Sequence, residues 1–232
     1  MNSLKAPKLS KRLLLAASFA QKGDFVADVG TDHAYLPIYL YLTGKVSGGV
    51  VSDINQGPVD RAKANLRDYA CDAAFAAQRA DGLSGVLAYG VEDIFILGMG
   101  GELIAGIISR AEWTKDKSIR LCLQPMTHAE LLRAFLLENG YSIIDETLVK
   151  EDKIYQIILA EYGGAREDYS LAELYFGKYN IARGGEELCG LLSQWERILA
   201  VRISGKEGSG ERANEERELL RQIEKIRNGE GK

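Results

Sequence analysis

The segment DVGTDH, residues 28–33, places two carboxylates, a glycine and one of the chain's two histidines at the end of an apolar run. The preceding residues FVA predict a buried strand that leads into this segment. A glycine turn between a strand and a helix surrounds a polar ligand with backbone N–H groups. Glycine also serves such turns for steric reasons alone. The segment therefore indicates a ligand-binding loop without identifying the ligand.

Carboxylates follow three successive predicted strands, at Asp28, Asp53 and Asp81. Asp53 ends the run GGVVSD, which is the position of a carboxylate that binds the two hydroxyls of an adenosine ribose. Asp81, followed by Gly82, is placed to accept a hydrogen bond from an adenine amino group. Each acid alone is typical of a solvated loop. Three at successive strand ends indicate a cofactor that contains adenosine.

The second carboxylate of the loop, Asp32, favours one such cofactor over another. A diphosphate cofactor such as NAD requires a helix N-terminus that is rich in glycine, and a carboxylate there repels its phosphates. S-adenosylmethionine has no phosphate and carries a sulfonium and an ammonium, which a carboxylate attracts. Asp32 is also suited to cap the helix that starts near Ala34, and the two roles are compatible. The chain has no GxxxxGK[ST] motif, which excludes a Walker-type phosphate loop.

A second glycine-rich segment, Gly98-Met99-Gly100-Gly101, follows the apolar run IFIL. A tight turn into the helix predicted over 102–109 explains some of these glycines. Three glycines in four residues exceed what that turn requires. The segment therefore indicates an open loop at the end of the fourth predicted strand.

The elements that position these loops alternate between strand and helix through the first 160 residues, as in an α/β fold. A helix is predicted over 9–21, another near residue 34, and a third that starts at Gly57-Pro58 and buries Val59, Ala62 and Leu66. The helix after LQP is predicted to bury one face and to stop at Gly140. That face comprises Leu131, Leu132, Phe135 and Leu136. The segment 142–162 predicts an antiparallel hairpin around 150–153 rather than another strand–helix step.

The character of the chain changes near Arg166. Leu188, Leu192, Trp195 and Leu199 recur at heptad-like spacing, and an apolar pattern resumes at residues 219, 223 and 226 after the polar segment 205–211. We interpret this region as a long, coiled-coil-like helical hairpin, a structure that is also suited to dimerisation. The predicted division is a cofactor-binding domain over 1–164 and a helical extension over 165–232.

Composition limits the possible functions. With 29 basic and 33 acidic residues the net charge is -4, which argues against a strongly basic nucleic-acid coat but permits a local basic patch. The three cysteines have no paired spacing, so neither a zinc site nor another metal site is predicted. No run approaches the ~20 apolar residues of a membrane span. We expect a soluble, cytoplasmic protein.

Together these residues resemble the bacterial TrmK family. The resemblance rests on DVGTDHAYLP, VVSDIN, RADGL, DIFILGMGGELI, LQP and KIYQIILAE, and covers about residues 9–162. It implies a class I (Rossmann-like) S-adenosylmethionine methyltransferase of the α/β class, with a mostly parallel seven-stranded sheet ending in an antiparallel hairpin. It also implies methyl transfer to N1 of adenosine 22 in tRNA, and a C-terminal helical, coiled-coil-like extension that helps to hold tRNA.

Site residues follow from the resemblance and from the positions above. The expected cofactor-binding residues are Asp28, Gly30, Asp32, His33, Asp53, Ile54, Asp81, Gly82 and Gly98. The expected catalytic residues are Asp32, His33, Gly98, Met99 and Gln124. Asp32 is the first candidate for the functional carboxylate, acting toward either the sulfonium or the adenine amino group. His33 is either a base, a stacking partner or a residue hydrogen-bonded inside the loop.

Other residues are expected around the acceptor. Gln124 and Pro125 are placed to contact a base edge, although the proline also serves to end its strand, and His128 is interpreted as a surface or capping residue. Tyr35 and Met99 are stacking candidates, and for Tyr35 buried packing is the favoured alternative. Many N6-adenine methyltransferases carry an Asn-Pro-Pro-Tyr type of motif after the fourth strand, and this chain has none. That absence fits attack by N1, whose lone pair already lies in the plane of the ring.

Candidate phosphate contacts are basic residues that otherwise form a solvated face: Lys5, Lys8, Lys11, Arg12, Arg183, Arg197 and Arg202. We expect tRNA as the partner, no membrane, and a monomer or a weak dimer through the extension. The alternatives are a class I methyltransferase acting on another RNA site or a small molecule, and a non-catalytic RNA-binding protein with a methyltransferase fold.

Overall fold

A computed structural model describes residues 5–21, 23–164, 167–208 and 212–229. Its centre is a seven-stranded sheet of order β3-β2-β1-β4-β5-β7-β6. The first five strands are parallel, and β7 is antiparallel to both β5 and β6. The predicted fold class is therefore confirmed. The strands are β1 Phe25–Val29, β2 Gly48–Asp53, β3 Phe75–Arg79, β4 Asp93–Met99, β5 Arg120–Pro125, β6 Tyr141–Lys150 and β7 Ile154–Tyr162.

The central strands β1, β2, β4 and β5 form because they are continuous apolar runs, and helices cover both faces of the sheet. The helices of this part are α1 Lys11–Ser18, α2 Tyr35–Leu42, α3 Gln56–Asp68, α4 Gly101–Ser109 and α5 Ala129–Glu138. The parallel strands all present their carboxyl ends to one edge of the sheet. The loops carrying Asp28, Asp53, Asp81 and Gly98 consequently lie on that edge.

The helix predictions held with two differences. The face predicted for α3 is buried as expected, but Pro58 is the third helical residue rather than the first. In α5 the buried face is rotated: Leu131 is 44% exposed, while Arg133 is fully buried. The rotation places an arginine in the interior, where it needs partners that the sequence pattern did not indicate.

The remaining helices are α6 Leu171–Phe176, α7 Lys178–Arg183, α8 Glu186–Gly208 and α9 Asn214–Arg227. They enclose a core of their own, into which α8 contributes Leu188, Leu192 and Leu199, and α9 contributes Leu219 and Ile223. The heptad-like pattern therefore predicted the contact between α8 and α9. The proposed domain boundary at 164/165 was not tested, because residues 165 and 166 lie outside the described residues. Residues 209–211 of the polar segment 205–211 also lie outside them.

A buried ion pair joins these helices to the sheet. Arg133 of α5 donates to Glu146 of β6 across 2.5 Å, and neither side chain is exposed. The same guanidinium donates to the carbonyl of Leu174 in α6 and to the side chain of Gln156 in β7. Four elements thus meet at one arginine. Within the described ranges, no helix is long and apolar enough to cross a membrane.

Candidate active site

The loop after β1 is held by its own backbone and by Thr31. The N–H groups of Gly30 and Thr31 both donate to the carbonyl of Ser52 at the end of β2, across 2.8 and 3.0 Å. Thr31 Oγ1 accepts from the N–H of Ala34, at the start of α2. The helix has no side-chain cap: its N-cap residue is Ala34, and Asp32 does not cap it. The bonds to Ser52 also occupy two N–H groups that a phosphate would require.

Asp28 is the buried carboxylate of the site. Its side chain lines a cleft of about 270 Å³, together with Arg12, Gly30, Asp32 and His33. Burial raises the pKa of Asp28 from 3.8 to about 6, and a hydrogen bond from Thr31 partly opposes the increase. No cationic side chain forms an ion pair with Asp28 in the described part of the chain. A cationic ligand would relieve this cost, whereas an anionic ligand would increase it.

Asp32 and His33 stand at the mouth of the same cleft. The Asp32 carboxylate accepts from Arg61 of α3, with Nε at 2.9 Å, and also lies 3.2 Å from His33 Nε2. The imidazole of His33 stacks on Tyr35, with ring centroids 5.2 Å apart and an interplanar angle of 9°. Tyr35 is 38% exposed, so its predicted burial was wrong. The charge of Asp32 is offset by Arg61, and Asp28 is left as the unpaired carboxylate of the cleft.

Close packing between the β1 and β4 loops leaves little room for a side chain at Gly30 or Gly101. Gly30 has φ +79°, and a β-carbon there would lie 2.0 Å from Met99 Cε. A β-carbon on Gly101 would lie 2.2 Å from the carbonyl oxygen of His128. Gly98, at φ +80°, is exposed, and the nearest side-chain atom to its β-position is Arg12 Nη1 at 3.6 Å. Met99 and Gly101 therefore belong to the packing of the loops, while Gly98 borders open space.

The remaining expected cofactor residues lie on the same edge toward β2 and β3. Asp53 Oδ1 accepts from the N–H of Asn55 at 2.7 Å, and Ile54 is 54% exposed. Asp81 pairs with Arg110 of α4 at 3.2 Å, and Gly82 is buried at φ +57°. Asp81 and Arg110 also border a separate, larger cavity of about 710 Å³. The structure thus brings Asp28, Gly30, Asp32 and His33 into one cleft, while Asp53 and Asp81 lie outside its lining on the same edge of the sheet.

Comparisons with known proteins agree with this geometry. The family model of a methyltransferase domain matches residues 9–158. A tRNA (adenine(22)-N(1))-methyltransferase from Bacillus subtilis is 37% identical over 178 residues, which are 76% of this chain and 74% of that protein. The chain belongs to the TrmK family. The crystal structure of the B. subtilis m1A22 tRNA methyltransferase TrmK superposes with a TM-score of 0.81 at 30% identity, covering 96% of this chain and 99% of that one.

A further solved structure from the TrmK family contains a ligand. It is a proposed tRNA (m1A22) methyltransferase from Streptococcus pneumoniae in complex with S-adenosyl-L-methionine. It is 28% identical to this chain, with a TM-score of 0.81, and the match covers 94% of this chain and 99% of that one. The TrmK fold thus extends through the C-terminal helices of this chain, beyond the range of the methyltransferase-domain match.

Gln124 has a different setting in this TrmK-family chain from the one expected. The side chain is fully buried, its Oε1 accepts from Arg12 Nη1, and its Nε2 donates to the carbonyl of Pro125 at 2.8 Å. It is not open to a base edge. His128 starts α5 at φ 54° and lies 3.1 Å from Glu130, which agrees with its interpretation as a surface or capping residue.

Arg61 is a site residue that the sequence did not predict. Arg12 was predicted as a candidate phosphate contact or as a member of a solvated face, and it lines the cleft with Asp28. The signal that could have identified Arg61 is its position on α3, because that helix follows β2 and begins beside the loop after β1. Two of the basic residues expected on the extension are engaged in the fold: Arg183 pairs with Asp145, and Arg202 lies over the ring of Trp195.

Proposed function

We propose that this chain transfers a methyl group from S-adenosylmethionine to N1 of adenosine 22 in tRNA. The observation that carries the proposal is the buried, unpaired carboxylate of Asp28 in a cleft whose loop N–H groups already bond to Ser52. The part of the cleft around Asp28 therefore favours a cation and disfavours a phosphate. Membership of the TrmK family supports both the reaction and the substrate.

The residues present fit this cofactor. Asp28 attracts its positively charged end, Asp53 lies where a ribose is held, and Ile54 offers an exposed apolar side chain for an adenine ring. Asp81, which is 65% exposed, completes the series as an acceptor for the adenine amino group. When bound, S-adenosylmethionine supplies an electrophilic methyl group on a sulfonium.

The acceptor side is formed by the loop that starts at Gly98. This glycine leaves room beside the cleft for a flat base, and Met99 limits the depth because its end lies against Gly30. No catalytic nucleophile is needed, since N1 has an in-plane lone pair. Positioning the reactants can supply roughly 7–11 kcal/mol of the barrier reduction. The carboxylates of Asp28 and Asp32 stabilise positive charge that moves to the adenine.

N1 lies on the Watson–Crick edge of adenine, so a paired base must be unpaired and turned out before it reacts. His33 and Tyr35 form a stacked, partly exposed pair at the mouth of the cleft and offer an aromatic surface to such a base. We infer that this pair contacts the extruded base rather than the cofactor. Replacement of Tyr35 by alanine is expected to raise KM for tRNA and leave the affinity for S-adenosylmethionine unchanged.

The test is transfer of labelled methyl from S-adenosylmethionine to an unmodified tRNA with adenosine at position 22, beside the same tRNA with guanosine there. Label on the first alone, with a block to reverse transcription at position 22, supports the proposal. Label on both keeps a methyltransferase but assigns it another position. Binding of the cofactor without label on either RNA favours a small-molecule acceptor.

We further infer that the protein acts in the cytoplasm as a monomer or a weak dimer through the helical extension. The inward-facing Leu188, Leu192 and Leu199 contact α9 of the same chain, which leaves few apolar residues of this pattern for a partner. Light scattering during gel filtration at two concentrations tests this inference. A stable, concentration-independent dimer would contradict it.

A further inference from the structure

Arg12 carries a partly buried positive charge that lacks an acidic partner. Its guanidinium donates to the neutral amide of Gln124 and lies over the ring of Tyr155, 5.3 Å from the centroid. Glu151 accepts from the backbone N–H of Arg12, at 3.0 Å, and forms no ion pair with its guanidinium in the part of the chain that the structure describes. The guanidinium is therefore oriented by neutral groups and retains its charge.

The other arginines buried to this degree or more are neutralised. Arg120 is 12% exposed and pairs with both Asp24 and Asp93. Arg133 is fully buried and pairs with Glu146. Burying a guanidinium without a counter-charge is costly, so a protein retains such an arrangement where a ligand supplies the anion. Arg12 thus indicates an anionic ligand in its cleft.

The position of Arg12 selects among the anions of the proposed reaction. Its partners Gln124 and Tyr155 lie on β5 and β7, and its Nη1 faces the β-position of Gly98 at the end of β4. The cofactor's adenosine is expected over β2 and β3, on the opposite side of β4 in the sheet order. Arg12 therefore lies away from the adenosine, beside the acceptor loop and the methionine end of the cofactor, where a phosphodiester and the cofactor's carboxylate are the two candidate anions.

Unpaired lysines continue from Arg12 across the surface. Lys11 adjoins it in the chain, and Lys150 and Lys153 flank the hairpin turn that contains Glu151. All three are exposed, and none forms an ion pair with a carboxylate among the described residues. Lys153 also lies over the ring of Tyr155, with its Nζ 5.1 Å from the ring centroid.

We propose that Arg12 binds a phosphate of the RNA strand beside the acceptor adenosine, and that Lys11, Lys150 and Lys153 extend this contact along the backbone. The inference rests on the proposed function and specifies how its substrate is held. A guanidinium whose one edge is bonded to Gln124 keeps further donors for the paired oxygens of a phosphate. Stacking on Tyr155 orients those donors and leaves their hydrogen-bonding capacity free. Gln124 is then a positioning residue that acts through Arg12.

The experiment compares Arg12→Gln and the double variant Lys150→Glu/Lys153→Glu with the wild-type protein. Lys63→Glu/Lys117→Glu is the matched control, because it makes the same change in net charge at exposed lysines of α3 and of the turn before β5. Binding of fluorescein-labelled tRNA is measured by anisotropy from 50 to 300 mM salt, roughly the range over which phosphate contacts are resolved. Binding of S-adenosylmethionine is measured separately by calorimetry.

Both site variants are expected to bind tRNA about tenfold more weakly, as loss of a charge-assisted hydrogen bond implies. The slope of log K against log salt should fall by about 0.7–0.9 for each phosphate contact removed. The control and the affinity for S-adenosylmethionine should not change. The hairpin variant retains Arg12 and Gln124, so it tests the surface even if Arg12→Gln unfolds.

Unchanged tRNA affinity and salt slope in both site variants would refute the proposal. So would a tenfold loss of S-adenosylmethionine affinity in Arg12→Gln with normal tRNA binding, since Arg12 would then bind the cofactor's carboxylate. Both readouts are equilibrium binding and do not depend on turnover. A wild-type protein that binds tRNA through these residues but methylates another position therefore contradicts the proposed function alone.

Discussion

The methyl group of Met99 lies so close to Gly30 that a β-carbon on the glycine would be 2.0 Å from Met99 Cε. This contact joins the loop after β1 to the loop after β4, the two segments that border the candidate cleft. Gly30 also has φ +79°, where an L side chain is strained. The cofactor loop and the acceptor loop thus contact each other through the end of one flexible side chain.

Gly30→Ala is expected to destabilise the protein by about 1–2 kcal/mol through backbone strain at its positive φ, with a smaller addition because the Met99 methyl group must move aside. It should also abolish binding of S-adenosylmethionine, because the Met99 side chain must either move into the cleft or leave its contact with the β1 loop. Urea unfolding and calorimetry measure the two effects. The double variant Gly30→Ala/Met99→Ala should recover part of the stability, because it removes the overlap and retains the strain.

Gly205→Ala is the matched control for this glycine. Gly205 lies inside α8, and its β-position has no neighbour within 4 Å. Alanine there should stabilise the helix by roughly 0.5–1 kcal/mol and leave cofactor binding unchanged. A Gly30→Ala protein as stable as the wild type would contradict the strain expected at Gly30.

Affinity for S-adenosylmethionine should depend on the charge of Asp28. Burial raises the pKa of this carboxyl to about 6, so the carboxylate is present at pH 7 and is lost as the pH falls through 6. We expect the affinity to fall about tenfold for each pH unit below 6, because a protonated Asp28 no longer attracts the cation. Calorimetry between pH 5 and 8 tests this. Asp28→Asn should bind weakly at every pH, and a parallel fall in both proteins would assign the titration to another group.

The same carboxylate is expected to reduce the stability of the ligand-free protein. A carboxyl whose pKa is raised on folding favours the folded state below its unfolded pKa near 4, and this contribution disappears as the pH rises through about 6. Asp28→Asn should therefore be more stable than the wild type at pH 7, by roughly 2–3 kcal/mol, and should lose this advantage near pH 4. Thermal unfolding of both proteins over this range gives the difference. A variant that is less stable at pH 7 would indicate a structural role for Asp28.

Asp32 and Arg61 form an exposed ion pair, so its direct contribution to stability should be below about 1 kcal/mol. If Asp32 acts on the ligand, Asp32→Asn should lower kcat/KM by more than Arg61→Gln does. A double-mutant cycle on kcat/KM separates the two roles. Equal losses in both single variants, with no further loss in the double variant, would mean that Asp32 serves only to hold Arg61.

Sequence patterns were sufficient for the sheet and for the cleft that Asp28, Gly30, Asp32 and His33 share. Buried parallel strands are apolar runs, and their carboxyl ends necessarily meet at one edge, so acids at strand ends could be placed without a structure. Capping of α2 by Asp32 was one alternative, and it is wrong: the N-cap residue is Ala34, without a side-chain cap, and the Asp32 carboxylate pairs with Arg61.

The long-range partners of charged residues could not be predicted. Arg12 meets Gln124 across 112 positions of sequence, and Arg133 meets Glu146 only because α5 is rotated by about one residue from the leucine-rich face. A leucine at 131 and an arginine at 133 each contradict the burial that their types favour. Tertiary hydrogen bonds decide that rotation, and no local pattern encodes them.

The ion pair of Arg133 and Glu146 gives the last prediction. Both side chains are fully buried, and together they bond to α6, β7 and the N–H of Tyr179 in α7. Arg133→Met should destabilise the protein by about 3–5 kcal/mol, because it leaves an unpaired carboxylate in the interior. It should also loosen the C-terminal helices, which dock on the sheet at this point. Urea unfolding followed through Trp195, which lies among those helices, reports both effects.

Arg227→Gln is the control, since Arg227 pairs with Glu196 where both are about one-third exposed, and its loss should cost no more than about 1 kcal/mol. The double variant Arg133→Met/Glu146→Leu removes both charges and should recover much of the stability lost in Arg133→Met. Recovery of stability without recovery of tRNA methylation would show that the pair also sets the orientation of the helices toward the cleft. If Arg133→Met unfolds at the same urea concentration as Arg227→Gln, the buried pair is not what joins the two parts.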